Sequence, residues 1–162
     1  AVGLSGRFPP SDGEADFGIT LNNGGPNKMD AYLEHTITTA TRLDDDLGVE
    51  VVDVTIELRN TAPSTGLPTY VTGNTAGEPE GTALLYLSAY GVNDVVDAQR
   101  DGEPLGVESD LELGLNVAAA FVELGFGETI TVTFTFEAPG PEPAAGWAVF
   151  LAPTAQRVPS GS

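Results

Sequence analysis

Strict alternation of apolar and polar residues along two long runs is what most constrains this chain. Val52, Val54, Ile56 and Leu58 are interleaved with Asp53, Thr55, Glu57 and Arg59. Ile130, Val132, Phe134 and Phe136 alternate in the same way with Thr129, Thr131, Thr133 and Thr135. A period of two puts every apolar side chain on one face of an extended strand, whereas a helix would scatter the same residues around its circumference. Both runs are dominated by β-branched and aromatic residues, which fit a pleated, half-buried surface. A ribbon with one apolar face must bury it against another layer.

The remaining runs repeat the pattern at regular spacing. Phe17, Ile19 and Leu21 alternate within Asp16 to Asn22, and Tyr32 to Thr41 reads as a Thr-rich strand with Leu33, His35 and Ile37 on one face. Thr82 to Tyr90 is apolar on both faces, as expected of a central strand. Val95 to Arg100 runs into Asp101-Gly102, a hairpin signal. Leu111 to Glu123 holds one strand, or two joined by a bend, and Trp147 to Leu151 is the last. Turn residues separate the runs at Gly24-Gly25-Pro26, Asp44-Asp45-Asp46, Ala62-Pro63, Gly73-Asn74, Gly125 to Gly127 and Pro139 to Pro143. The expectation is an all-β, immunoglobulin-like antiparallel β-sandwich of about seven to nine strands. No stretch supplies the crossover helices of a parallel α/β sheet. The sandwich is expected over residues 15–153, after a Gly/Pro/Ser-rich linker at 1–14 and before a polar tail at 154–162.

Charge narrows the partners. With 24 Asp and Glu against 6 Lys and Arg, the 162-residue chain carries a net charge of -18, which disfavours nucleic acid and anionic lipid. Hydrophobic residues make up 41% of the chain, too many for an acidic disordered tail, yet no run reaches the roughly eighteen apolar residues of a membrane span. Cysteine is absent, so neither disulfides nor thiolate chemistry is available. The first residue is Ala1, and no charged-then-apolar leader follows. The expectation is a piece whose targeting or anchoring segment lies upstream.

Reactive constellations are sparse. A Ser or Thr nucleophile needs a base, and the single histidine, His35, is in phase with Leu33 and Ile37 as a core or edge strand residue. No phosphate loop occurs, since Gly24-Gly25 is followed by Pro26. The expectation is a protein that is not an enzyme and needs no cofactor, with Ca²⁺ as the one ion to consider. Asp44, Asp45 and Asp46 cluster hard oxygen ligands in a turn, although without the spacing of a calcium loop. Glu108, Asp110 and Glu112 form a second acidic set on one strand face. Among the aromatics, Trp147 and Tyr86 are expected in the core, and Tyr70, between Pro68 and Gly73, is expected to be exposed as a possible ligand contact. The segment Asn22 to Asp30 is the densest local signal. It reads as a turn-rich loop organised by side-chain-to-backbone bonds, with Lys28 paired to a carboxylate.

That segment also carries a resemblance. Asn27-Lys28-Met29-Asp30, followed by Tyr32-Leu33, resembles the Lys-Met-Asp-x-Tyr-Leu signature of a family of membrane-anchored bacterial proteins of unknown function, common in actinobacteria. Asn60-Thr61-Ala62-Pro63, Gly66-Leu67-Pro68, Tyr70-Val71 and the Gly-Glu-Thr at Gly127 to Thr129 look similar as well, in the same order. In that family a transmembrane helix precedes an outer domain distantly related to LytR-CpsA-Psr envelope-polymer transferases. The resemblance implies that this chain is the β domain beyond it, extracytoplasmic and tethered through an upstream segment. It transfers no catalytic residue. The implied partners are the upstream domain and either a cell-wall polymer or another envelope protein. The rival expectations are a calcium-dependent adhesive or glycan-binding module, and an accessory domain of an envelope-polymer transferase.

Overall fold

A computed structural model describes residues 15–74 and 77–152. Its strands are β1 (Phe17–Asn23), β2 (Leu33–Asp44), β3 (Val49–Asn60), β4 (Ala83–Gly91), β5 (Val95–Arg100), β6 (Glu103–Pro104), β7 (Glu108–Glu112), β8 (Leu115–Leu124), β9 (Thr129–Glu137) and β10 (Val149–Leu151). A 3₁₀ turn at Met29–Tyr32 and one helical turn, α1 (Thr69–Thr72), are the helical elements among the described residues.

The strands form two five-stranded sheets, ordered β10-β1-β4-β8-β7 and β2-β3-β9-β5-β6. Neighbouring strands are antiparallel except β1 and β10. The molecule is thus the all-β sandwich that alternation requires. Among the described residues it has ten strands where about seven to nine were expected. The added strand is the two-residue β6, too short for alternation to reveal, while Leu111 to Glu123 takes the two-strand alternative, with β7 and β8 divided at Leu113-Gly114. Of the sandwich expected over 15–153, residues 15–74 and 77–152 are described. Residue 153, the linker at 1–14 and the tail at 154–162 lie outside them.

The core lies between the inner faces. Phe17, Ile19 and Leu21 from β1 and Leu85 and Leu87 from β4 meet Val52, Val54, Ile56 and Leu58 from β3 and Ile130, Val132, Phe134 and Phe136 from β9. Each fully buried side chain of this size contributes about 2–3 kcal/mol. Trp147 closes the core beside β2, edge-on to Phe17 at 5.8 Å with its indole N–H donating to the Thr41 hydroxyl at 2.9 Å. Phe17 in turn lies 4.9 Å from Phe136. Strand β4 sits in the middle of its sheet, as its two apolar faces imply. Tyr86 departs from expectation. It projects from the outer face of β4, half-buried against Phe121 at 4.8 Å, because its neighbours Leu85 and Leu87 take the inner phase.

Candidate functional site

Two buried asparagines organise one end of the sandwich. Asn27 precedes the 3₁₀ turn. Its Nδ2 donates to Asn74 Oδ1 at 2.7 Å and to the Thr82 carbonyl at 2.8 Å, while its Oδ1 accepts the Met29 N–H at 3.3 Å. Asn60 ends β3. Its Nδ2 donates to the carbonyls of Gly81 and Leu124, both at 3.2 Å, and its Oδ1 accepts the Ala62 N–H at 3.1 Å. A buried amide this fully engaged acts as a three-way clamp on backbone that would otherwise be unpaired.

The clamps hold a long irregular connection, residues 61–82, which contains only α1 among its described residues. The Thr61 N–H and hydroxyl both donate to the Tyr32 carbonyl, at 2.9 and 2.7 Å. The Lys28 N–H reaches the Val71 carbonyl at 3.0 Å, and the Gly81 N–H reaches Thr72 at 2.8 Å. Gly81 has φ +80°, and a Cβ there would stand 1.9 Å from the Phe126 ring, so only glycine fits. The motif segments 27–33, 60–63, 66–71 and 127–129, distant in sequence, therefore meet at this end. Met29 is fully buried and Tyr32 and Leu33 pack against the core. Tyr70 projects from α1 at 75% exposure, as expected. The Asp30 carboxylate accepts from Asn23 Nδ2 at 3.2 Å. Among the described residues the expected Lys28–carboxylate pair is not formed. Among the described residues the ion pairs belong to Arg42 and Arg100, and Lys28 points into solvent.

Asp44, Asp45 and Asp46 lie in the β2–β3 hairpin at the opposite end. Asp44 Oδ1 accepts the N–H groups of Asp46 and Leu47 at 3.1 and 3.0 Å, and Oδ2 pairs with Arg42 at 3.3 Å. The Leu47 N–H holds the Asp44 carboxyl below its ordinary value; desolvation opposes it, and Arg42 and the Asp46 N–H add to the lowering. Asp45 and Asp46 are exposed. Among the described residues no group of three acidic or histidine side chains is arranged to hold a metal ion. Arg42 bridges further to Asp53 at 2.8 Å, and Asp53 accepts the Thr135 hydroxyl at 2.6 Å, which ties β2, β3 and β9 together. These bonds, the Asp53 hydrogen bond first, raise the Arg42 guanidinium pKa further. His35 is exposed on β2, opposite Leu58 in register.

A second feature was only half legible. Glu108, Asp110 and Glu112 do share one face of β7, and that face walls a groove of about 310 Å³ on the outside of the β10-β1-β4-β8-β7 sheet. Tyr86, Ser88, Tyr90, Val117 and Ala119 form its floor. It continues over Phe121, which is 60% exposed. The Tyr90 hydroxyl donates to Glu112 at 3.2 Å. Burial pushes the Tyr90 phenol up, the Glu112 charge and hydrogen bond add to the rise, and Thr20 counters it. Periodicity places Tyr86, Tyr90 and Phe121 on strands, but only the pairing of Tyr86 with Phe121 and of Tyr90 with Val117 brings the aromatics beside the acids.

Fold and site together define a β-sandwich domain with one long loop clamped at an end and an aromatic groove on a flank. Compared with known proteins, the chain matches no family model, no curated protein and no solved structure.

Proposed function

We propose that this is a non-enzymatic, extracytoplasmic accessory domain of a membrane-anchored bacterial envelope protein, which presents the 61–82 loop to a neighbouring domain or wall component. One observation carries the reading: a connection of this length is held open by two buried asparagines and still leaves Tyr70 exposed. Long ordered connections on a rigid scaffold are common carriers of recognition, and an exposed tyrosine is a frequent anchor. The motif resemblance supports the envelope setting, and the acidic surface supports a partner that is neutral or basic.

The test is binding of the purified domain to isolated cell wall and to the rest of the outer region of its own protein. Tyr70→Ala should weaken retention about tenfold while melting stays unchanged. Equal retention of the variant and the parent would remove the reading.

The flank groove favours a second reading, a glycan-binding module. Aromatic faces meet the C–H faces of sugar rings, and carboxylates accept sugar hydroxyl hydrogens. Phe121→Ala would then abolish glycan retention while Tyr70→Ala leaves it intact, which separates the two readings.

A further inference from the structure

Two open sheets have four edges, and three of them are blunted. Strand β10 is three residues long, β6 is two residues long and contains Pro104, and β7 lines its five residues with Glu108, Asp110 and Glu112. Short length, proline and inward or facing charge are the ordinary means of stopping edge-to-edge pairing. Strand β2 carries Glu34, Arg42 and Asp44 but is neither short nor interrupted by proline. It runs twelve residues without proline, lysine or bulge, and among the described residues its backbone pairs only with β3, while the Thr41 hydroxyl accepts from the Trp147 indole at 2.9 Å and donates to Glu142 at 2.6 Å.

The hydrogen-bond phase of β2 is set. The Thr61 N–H donates to the Tyr32 carbonyl, so even-numbered residues along β2 turn their backbone groups toward β3. Leu33, His35, Ile37, Thr39, Thr41 and Leu43 turn theirs outward. An antiparallel copy of β2 centred on Thr38 satisfies this phase, because it sets Ile37 against Thr39, His35 against Thr41 and Leu33 against Leu43. The same register sets Glu34 against Arg42 twice on the outer face. Arg42 already gives three N–H groups to Asp53 and Asp44, and its guanidinium has five. It also covers Leu43, which is 61% exposed in the single chain.

We infer that β2 is a homodimer edge: two copies of this chain pair antiparallel about Thr38 and join their β2-β3-β9-β5-β6 sheets into one ten-stranded sheet. The occupant is a second copy because the strand is complementary in charge and phase to itself. Each chain carries -18, so long-range repulsion opposes association and salt screens it.

Sedimentation over a concentration series should show a monomer–dimer equilibrium that tightens with added salt. The chain lacks cysteine, so Thr38→Cys carries a single thiol. Facing Thr38 positions form a non-hydrogen-bonded pair with Cα atoms about 4.5 Å apart, within disulfide reach, and mild oxidation should give a covalent dimer. Thr129→Cys, on β9 away from the edge, should not. Glu34→Arg and Arg42→Glu should each weaken self-association about tenfold, and an equal mixture of the two variants should restore it as a heterodimer. Thr39→Pro removes an outward N–H without breaking a β2–β3 bond and should leave a folded monomer, checked by circular dichroism. A parent that stays monomeric to about millimolar concentration at moderate salt overturns the inference. So does a dimer that ignores Thr39→Pro and fails to cross-link through position 38.

Discussion

Single side chains carry more of this structure than their number suggests, and the two buried asparagines carry most. Asn60→Ala removes three side-chain hydrogen bonds and leaves the Gly81 and Leu124 carbonyls without that donor in a buried site. The cost should be about 3 kcal/mol, read as a lower denaturation midpoint at unchanged m. A loss under about half a kcal/mol would show that water replaces the amide. Asp44 makes a different kind of contribution. Its folded pKa is depressed, so its stabilisation is present above the unfolded value of 3.8 and disappears as pH falls through the folded one. The parent should lose its advantage over Asp44→Ala across that acidic window and keep it at neutral pH. A stability difference between the two proteins that is flat from neutral pH to well below 3.8 contradicts this linkage. None of this was visible in composition. Asn27 falls in the turn-rich loop and Asn60 in a motif segment, but their partners lie up to 64 residues away.

The strand-to-strand turns show where local chemistry agrees with the fold and where it does not. Asp101-Gly102 joins β5 to β6 with φ of 52° and 82°, the geometry its sequence asks for. Leu113-Gly114 joins β7 to β8 with φ of 53° and 81°, the same geometry with the wrong first residue. A leucine in the left-handed region costs about 1–2 kcal/mol, and this one is 80% exposed. Leu113→Asn should therefore stabilise the domain by about 1 kcal/mol, measured as a higher melting temperature. An unchanged or lower value would mean that Leu113 makes contacts that offset the strain. The opposite sign is expected at Gly81, where Ala meets both a positive φ and the Phe126 ring. That substitution should cost about 2–4 kcal/mol, or prevent folding.

Across the whole molecule the dominant forces are a large buried core and an unbalanced surface. The net charge of -18 stores self-repulsion that falls when salt shortens the screening length from about 30 Å at 0.01 M to about 8 Å at 0.15 M. Thermal stability should rise over that range and then level off. A melting temperature that falls with added salt would show that the Arg42 and Arg100 pairs outweigh the repulsion. In the core, Phe136→Ala should cost about 3–5 kcal/mol, because its ring packs on Phe17 and fills the space above Gly91.

What the amino-acid order determined alone was the fold class, the inner faces of β1, β3 and β9, the Asp101-Gly102 hairpin and the acidic face of β7. All of these follow from a period of two and from turn preferences that act over a few residues. The meeting of the motif segments at one end, the outward turn of Tyr86 into a groove with Phe121 and the acids, and the edge position of the long strand β2 among the described residues were decided only by the tertiary structure. Each depends on which strands become neighbours, and strand order is set by packing of two faces whose residues are far apart along the chain.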